Sequence, residues 1–160
     1  MKKLITTLCC SLFLVSSVSP SASFYHTDVI LVQDHALDFY GNICWTHEKA
    51  RLDNFAIHLQ ENPDRLGLII VYSGRHSCAG EARTRAERAK RWVEGRGMAA
   101  DRVIWKDGGY REDAMTWLWL LPRDSNEKQW PIVPTVEANE VTVFSRCKGK
   151  IYKPARCSKP

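Results

Sequence analysis

Residues 68–109 read LIIVYSGRHSCAG EARTRAERAKRWVEG RGMAADRVIWKDGG, three patterns in succession. Residues 68–72 are continuously apolar and mostly β-branched, the composition of a central strand covered on at least one face. Residues 73–80 carry the Ser, Gly, Arg and His of a turn. At Glu81 the period changes. Ala82, Ala86, Ala89 and Val93 fall on one helical stripe, while Arg83, Arg88, Lys90 and Arg91 interleave with Glu81, Glu87 and Glu94 as a salt-bridged outer face. Small residues on the stripe let a helix lie close to a sheet, and Gly95 and Gly97 stop it. Residues 102–105 return as a strand that ends at Asp107-Gly108-Gly109.

Toward the N-terminus, residues 37–44 read as extended, with Gly41-Asn42 allowing a bend. Thr46 is expected to cap a helix that has Glu48 in its first turn. Leu52, Phe55, Ala56 and Leu59 give that helix a buried face, and Asn62-Pro63 ends it. Residues 28–33 (DVILVQ) are a short β-prone run. Toward the C-terminus, residues 115–121 are apolar on both faces, as an inner strand would be, and Pro122 ends them. Residues 123–134 are polar and proline-bounded, which predicts a linker. Residues 140–146 alternate as a last strand, and residues 148–159 form a basic tail. The predicted fold is α/β (α+β): a two-layer sandwich of order β-α-β-α-β-β, with a mixed sheet and both helices on one face.

The 160 residues, 44% of them apolar, are enough for one core. Residues 1–22 have the cationic start, apolar run and small-residue end of a secretory signal peptide, with cleavage near Ala22. Residues 23–36 follow as a leader, 37–122 as the domain, and 123–160 as linker and tail. The expected setting is therefore exported, periplasmic or envelope-associated, with no integral membrane segment once the signal is removed. Loss of Lys2 and Lys3 lowers the formal charge from +5 to +3, too small an excess to argue for nucleic acid. Cys9 and Cys10 would leave with the leader, so Cys44, Cys78, Cys147 and Cys157 remain. Their spacing does not suit zinc and predicts two disulfides. Cys44 and Cys78 follow strands expected to be parallel, and Cys147 and Cys157 flank a short loop. The expected pairs are Cys44–Cys78 and Cys147–Cys157, with Cys44–Cys147 the rival of the first. The histidines show neither HxH nor HExxH spacing, so no metal or other cofactor is expected.

The element order, residues 52–63 (LDNFAIHLQENP), the strand 68–72, Arg85-Ala86 and residues 96–103 (RGMAADRV) together resemble the OmpA-like peptidoglycan-associating domain family. The resemblance covers about residues 39–121. Arg85-Ala86 stands where that family has an arginine-alanine pair at the helix start, and residues 108–112 loosely match its glycine-glutamate turn. The resemblance implies a non-enzymatic module that binds a cell-wall or other envelope component. In the family, a threonine-aspartate pair in the strand-to-helix loop helps bind the diaminopimelate amine. Here the loop runs Ser73-Gly74-Arg75-His76-Ser77-Cys78-Ala79-Gly80 without an acid. Glu112-Asp113-Ala114 stands in place of the family's asparagine-arginine-arginine triplet. Weak or absent retention on peptidoglycan is the resulting expectation.

The candidate ligand residues are Arg75, His76, Arg85 and Glu112. Arg75 and His76 lie between a strand end and a helix start, where α/β folds place binding loops. Arg85 shares the stripe of Ala82 and Ala89, so its guanidinium must find a carboxylate or a ligand. It is expected to be at least half buried, against an acid of residues 107–112 or an anion. Two other functions remain open. One is a small enzyme using His76 with Ser73, Ser77 or Cys78. The other is an adaptor for acidic polymers through Lys148, Lys150, Lys153 and Arg156. Trp117 and Trp119 read as core.

Overall fold

The structure, a computed structural model, describes residues 36–145 together with Cys147, Ala155 and Cys157. The leader, the run at 28–33 and the basic residues Lys148, Lys150, Lys153 and Arg156 lie outside them. Eight main elements follow in order: β1 (Asp38–Tyr40), α1 (Trp45–Glu61), β2 (Arg65–Ser73), β3 (His76–Cys78), α2 (Glu81–Glu94), β4 (Val103–Tyr110), β5 (Met115–Pro122) and β6 (Thr142–Phe144). Four of the strands form a mixed sheet in the order β1-β5-β2-β4. β2 and β4 run parallel, Gly67 facing Val103, and β5 is antiparallel to both β2 and β1. The expected α+β fold with a mixed sheet is what the chain adopts.

Alternation along the central strands assigns the two faces. Ile69, Val71 and Leu118 point to one side, where Leu52, Phe55, Ala56 and Leu59 of α1 and the stripe Ala82, Ala86, Ala89 and Val93 of α2 complete a buried layer. Both helices thus cover one face. Leu68, Ile70, Tyr72, Trp119 and Leu121 point to the other side and meet Trp130 and Ile132. Residues 123–134 are therefore not a linker: Trp130 is buried, and Tyr72 Oη accepts the Val133 N–H at 3.1 Å. A strand buried on both faces needs two covers. With both helices on one side, this segment is what remains to supply the second. Gly108 sits under that cover because a Cβ there would come within 2.6 Å of the Tyr72 ring and 2.8 Å of Ile70.

The helix ends differ in detail from expectation. α1 begins one residue before Thr46, with extended Cys44 as its N-cap. The Cys44 carbonyl accepts the Glu48 N–H at 3.0 Å. At the other end, Arg102 donates to the carbonyls of Leu59, Asn62 and Arg65 at 2.6–3.1 Å and so satisfies groups the helix leaves open. α2 is preceded by Gly80 as its N-cap, whose φ of 74° is a left-handed conformation costly for residues with a Cβ.

The last strand forms at Thr142–Phe144 and does not lie in the main sheet. β6 instead pairs in parallel with β3, His76 facing Thr142, inside the segment read as a turn. Nor are the cysteines joined as expected: the pairs are Cys44–Cys157 and Cys78–Cys147, with Cα atoms 5.0 and 6.0 Å apart. β1 and β2 do run the same way, but β5 lies between them. Two strand spacings amount to about 9.5 Å, beyond the reach of a disulfide. Cys147 follows β6 and is carried to β3, which leaves Cys157 for the start of α1.

Candidate functional site

The main candidate is a pocket of about 510 Å³ at the C-terminal end of β2. Its wall on one side is Gly74 and His76, on the other Gly41 and Asn42, with Glu81, Glu112, Asp113, Ala114 and Met115 completing it. Gly74 lets the two loops approach, since a Cβ there would lie 3.0 Å from the Ala114 nitrogen. The loops are tied by Arg75 N–H to the Glu112 carbonyl at 3.1 Å and by Arg111 N–H to the Ser73 carbonyl at 2.9 Å.

Arg75 and Glu112 meet as a bidentate pair. Arg75 Nε donates to Glu112 Oε2 at 2.9 Å and Nη2 donates to Oε1 at 2.6 Å, while Nη1 reaches the Glu140 carboxylate at 3.6 Å. The hydrogen bond from Arg75 holds the Glu112 carboxyl below the usual glutamate range. Arg75 is thus held between two carboxylates rather than aimed at the pocket. His76 is exposed on the wall and makes no hydrogen bond or ion pair among the described residues. Ser77 is buried and Cys78 is oxidised. The nucleophile–base arrangement that hydrolytic chemistry needs is therefore not assembled around His76 among the described residues.

Arg85 is 1% exposed, as the alanine stripe requires. Its guanidinium donates to the Gly41 carbonyl at 3.1 Å and to Thr116 Oγ1 at 3.3 Å, which places it directly beneath the pocket wall. The expected acid from residues 107–112 is not its counter-charge, because Glu112 is taken by Arg75. The charge of Arg85 acts instead on Glu48, a 1%-exposed carboxylate of α1 that pairs with Arg88. Burial pushes the Glu48 carboxyl up, against the pull of Arg88 and Arg85. Tyr40 donates its hydroxyl to Glu48 at 3.4 Å, and burial raises its pKa strongly.

The structure thus places His76 and Glu112 on the pocket wall, with Arg75 bound to Glu112 and Arg85 below the wall. No family model, curated protein or solved structure matches the chain. The site consequently rests on its own chemistry. Sequence reasoning passed over Asp113, which is exposed at the rim with no partner among the described residues, and Glu81, whose carboxylate accepts the Cys78 N–H at 3.1 Å. It also passed over Glu48, though the signal was present: Glu48 stands four residues before Leu52, on the buried face.

A second hollow of about 430 Å³ lies between β1 and α1, lined by Asp38, Ile43, His47 and Arg51. Arg51 and Asp38 close on each other there at 2.5 Å. No group of three or more metal-ligating side chains occurs among the described residues, and no helix among them is long and apolar enough to cross a membrane.

Proposed function

We propose that the chain is an exported, non-catalytic module of OmpA-like type that binds a cell-envelope component through the pocket at the end of β2. The observation that carries this reading is the pocket's charge. Three carboxylates, Glu81, Glu112 and Asp113, face one hollow, and the nearest arginine is already paired. Such a site suits an amine, and peptide amines of the cell wall are an amine-bearing envelope component. The disulfides accord with an oxidising, exported setting.

Affinity is expected to be low. Glu112 is held by Arg75 and Glu81 by the Cys78 amide, so Asp113 alone offers an uncommitted carboxylate. One charge-assisted hydrogen bond at an exposed rim contributes about 1.5 kcal/mol at most, because solvent screens it. The test is sedimentation of the mature protein with purified peptidoglycan. The expected result is weak, salt-sensitive retention that Asp113→Asn lowers by up to about tenfold. Tight retention that ignores Asp113, or none at any protein concentration, would overturn the reading.

A further inference from the structure

Both walls of the pocket are stapled to one C-terminal segment. Gly41 and Asn42 lie just before Cys44, which is bonded to Cys157; Gly74 and His76 lie just before Cys78, which is bonded to Cys147. The second staple is the one that burial does not support. All three residues of β6 are exposed, Val143 at 47% and Phe144 at 49%, so the strand rests on no core. A two-stranded pair without an apolar face is marginal in water. Among the described residues its non-covalent ties are Thr142 N–H to the Arg75 carbonyl at 2.9 Å, Ala79 N–H to the Phe144 carbonyl at 3.0 Å, the β3–β6 ladder, and surface Arg75 to the Glu140 carbonyl at 3.4 Å and carboxylate at 3.6 Å. Surface pairs of that kind add little. The covalent bond therefore decides whether the strand stays.

We propose that Cys78–Cys147 is a redox latch on the pocket. Oxidised, it holds β6 along β3 and fixes the wall that carries His76. Opened, it releases residues 137–145 and leaves that wall without its neighbour. Both cysteines are partly exposed, so a dithiol reductant has access. One thiolate of the reductant attacks a sulfur of the pair and expels the other cysteine as a thiolate. The second thiol of the reductant then displaces the first cysteine. Two electrons and two protons pass to the protein, and the reductant leaves as its own disulfide. The regulatory meaning rests on the pocket being the binding site; the latch itself does not.

Amide hydrogen exchange on the full-length chain tests it. In the Cys78→Ser/Cys147→Ser variant, the Ala79 and Thr142 amides are expected to exchange at least about tenfold faster than in the oxidised protein. The Leu68, Ile69 and Ile70 amides of β2 should stay unchanged, which also reports that the variant folds. If it does not fold, the same amides are read in native protein partially reduced with dithiothreitol and trapped by alkylation. Unchanged protection at Ala79 and Thr142 in the species with Cys78 and Cys147 free would overturn the latch. Retention on peptidoglycan plays no part in this readout, so its loss would remove the proposed function and leave the latch standing.

Discussion

At the scale of single residues, the most consequential group is Glu48. A carboxylate this buried costs several kcal/mol to desolvate, and it is tolerated because Arg88 and Arg85 surround it. Removing it would take from Arg88 its carboxylate partner and from buried Arg85 the negative charge that faces it. Glu48→Gln is therefore expected to lower unfolding free energy by roughly 3 kcal/mol, read as a lower urea midpoint with an unchanged slope. A variant as stable as the parent would show that the arginines find other compensation. Glu112 shows the opposite direction on the surface. Its pKa is depressed in the folded chain, so the Arg75 pairing contributes at pH values above the ordinary glutamate range. The contribution is lost as pH falls through the depressed value. A carboxyl NMR titration should place the Glu112 midpoint below that of a free glutamate, and Arg75→Ala should return it upward. Equal midpoints in the two proteins would remove the clamp.

At the scale of elements, the second face of the sheet depends on a segment with no regular structure apart from a short 3-10 turn at Glu127–Gln129. Trp130 covers Leu68 and Ile70 there, and Lys106 stacks on its ring at 4.9 Å. Trp130→Ala should cost about 3 kcal/mol and increase dye binding to the exposed face. A change under about 1 kcal/mol would mean that Ile132 suffices as the cover. This is also where the sequence was least legible. The helices and β2 announce themselves through period: Leu52, Phe55, Ala56 and Leu59, the alanines of α2, and the unbroken run 68–72. Residues 123–134 have no period, and one buried tryptophan among polar neighbours carries no signal of the face it seeks. β3 and β6 are three residues each and exist through each other. Neither can be read from its own composition. Arg85 was legible in burial and not in partner, because burial follows from its helical stripe while its surroundings depend on how α1 is placed.

At the scale of the whole molecule, the sheet order β1-β5-β2-β4 brings the end of β2 beside residues 41–42 and 112–115, and that convergence makes the pocket. The two disulfides are nested, Cys78–Cys147 lying wholly within Cys44–Cys157. Nesting bears on how the chain reaches its final form. When a chain emerges from its N-terminus onward, Cys44 and Cys78 are the first of the four to meet an oxidant, and both lack their proper partners until the last stretch arrives. Neighbour-with-neighbour bonding is then the kinetically favoured error, because the intervening loops are the shortest to close. Maturation would have to break that bond and exchange it, a process of seconds to hours that an isomerase shortens. Oxidative refolding with acid trapping should accordingly show early species with neighbour-with-neighbour bonds, Cys147–Cys157 ahead of Cys44–Cys78, that decay as the nested pair forms, faster with a disulfide isomerase present. Direct appearance of the nested pair, with no such precursor, would mean that β6 finds β3 before any sulfur reacts.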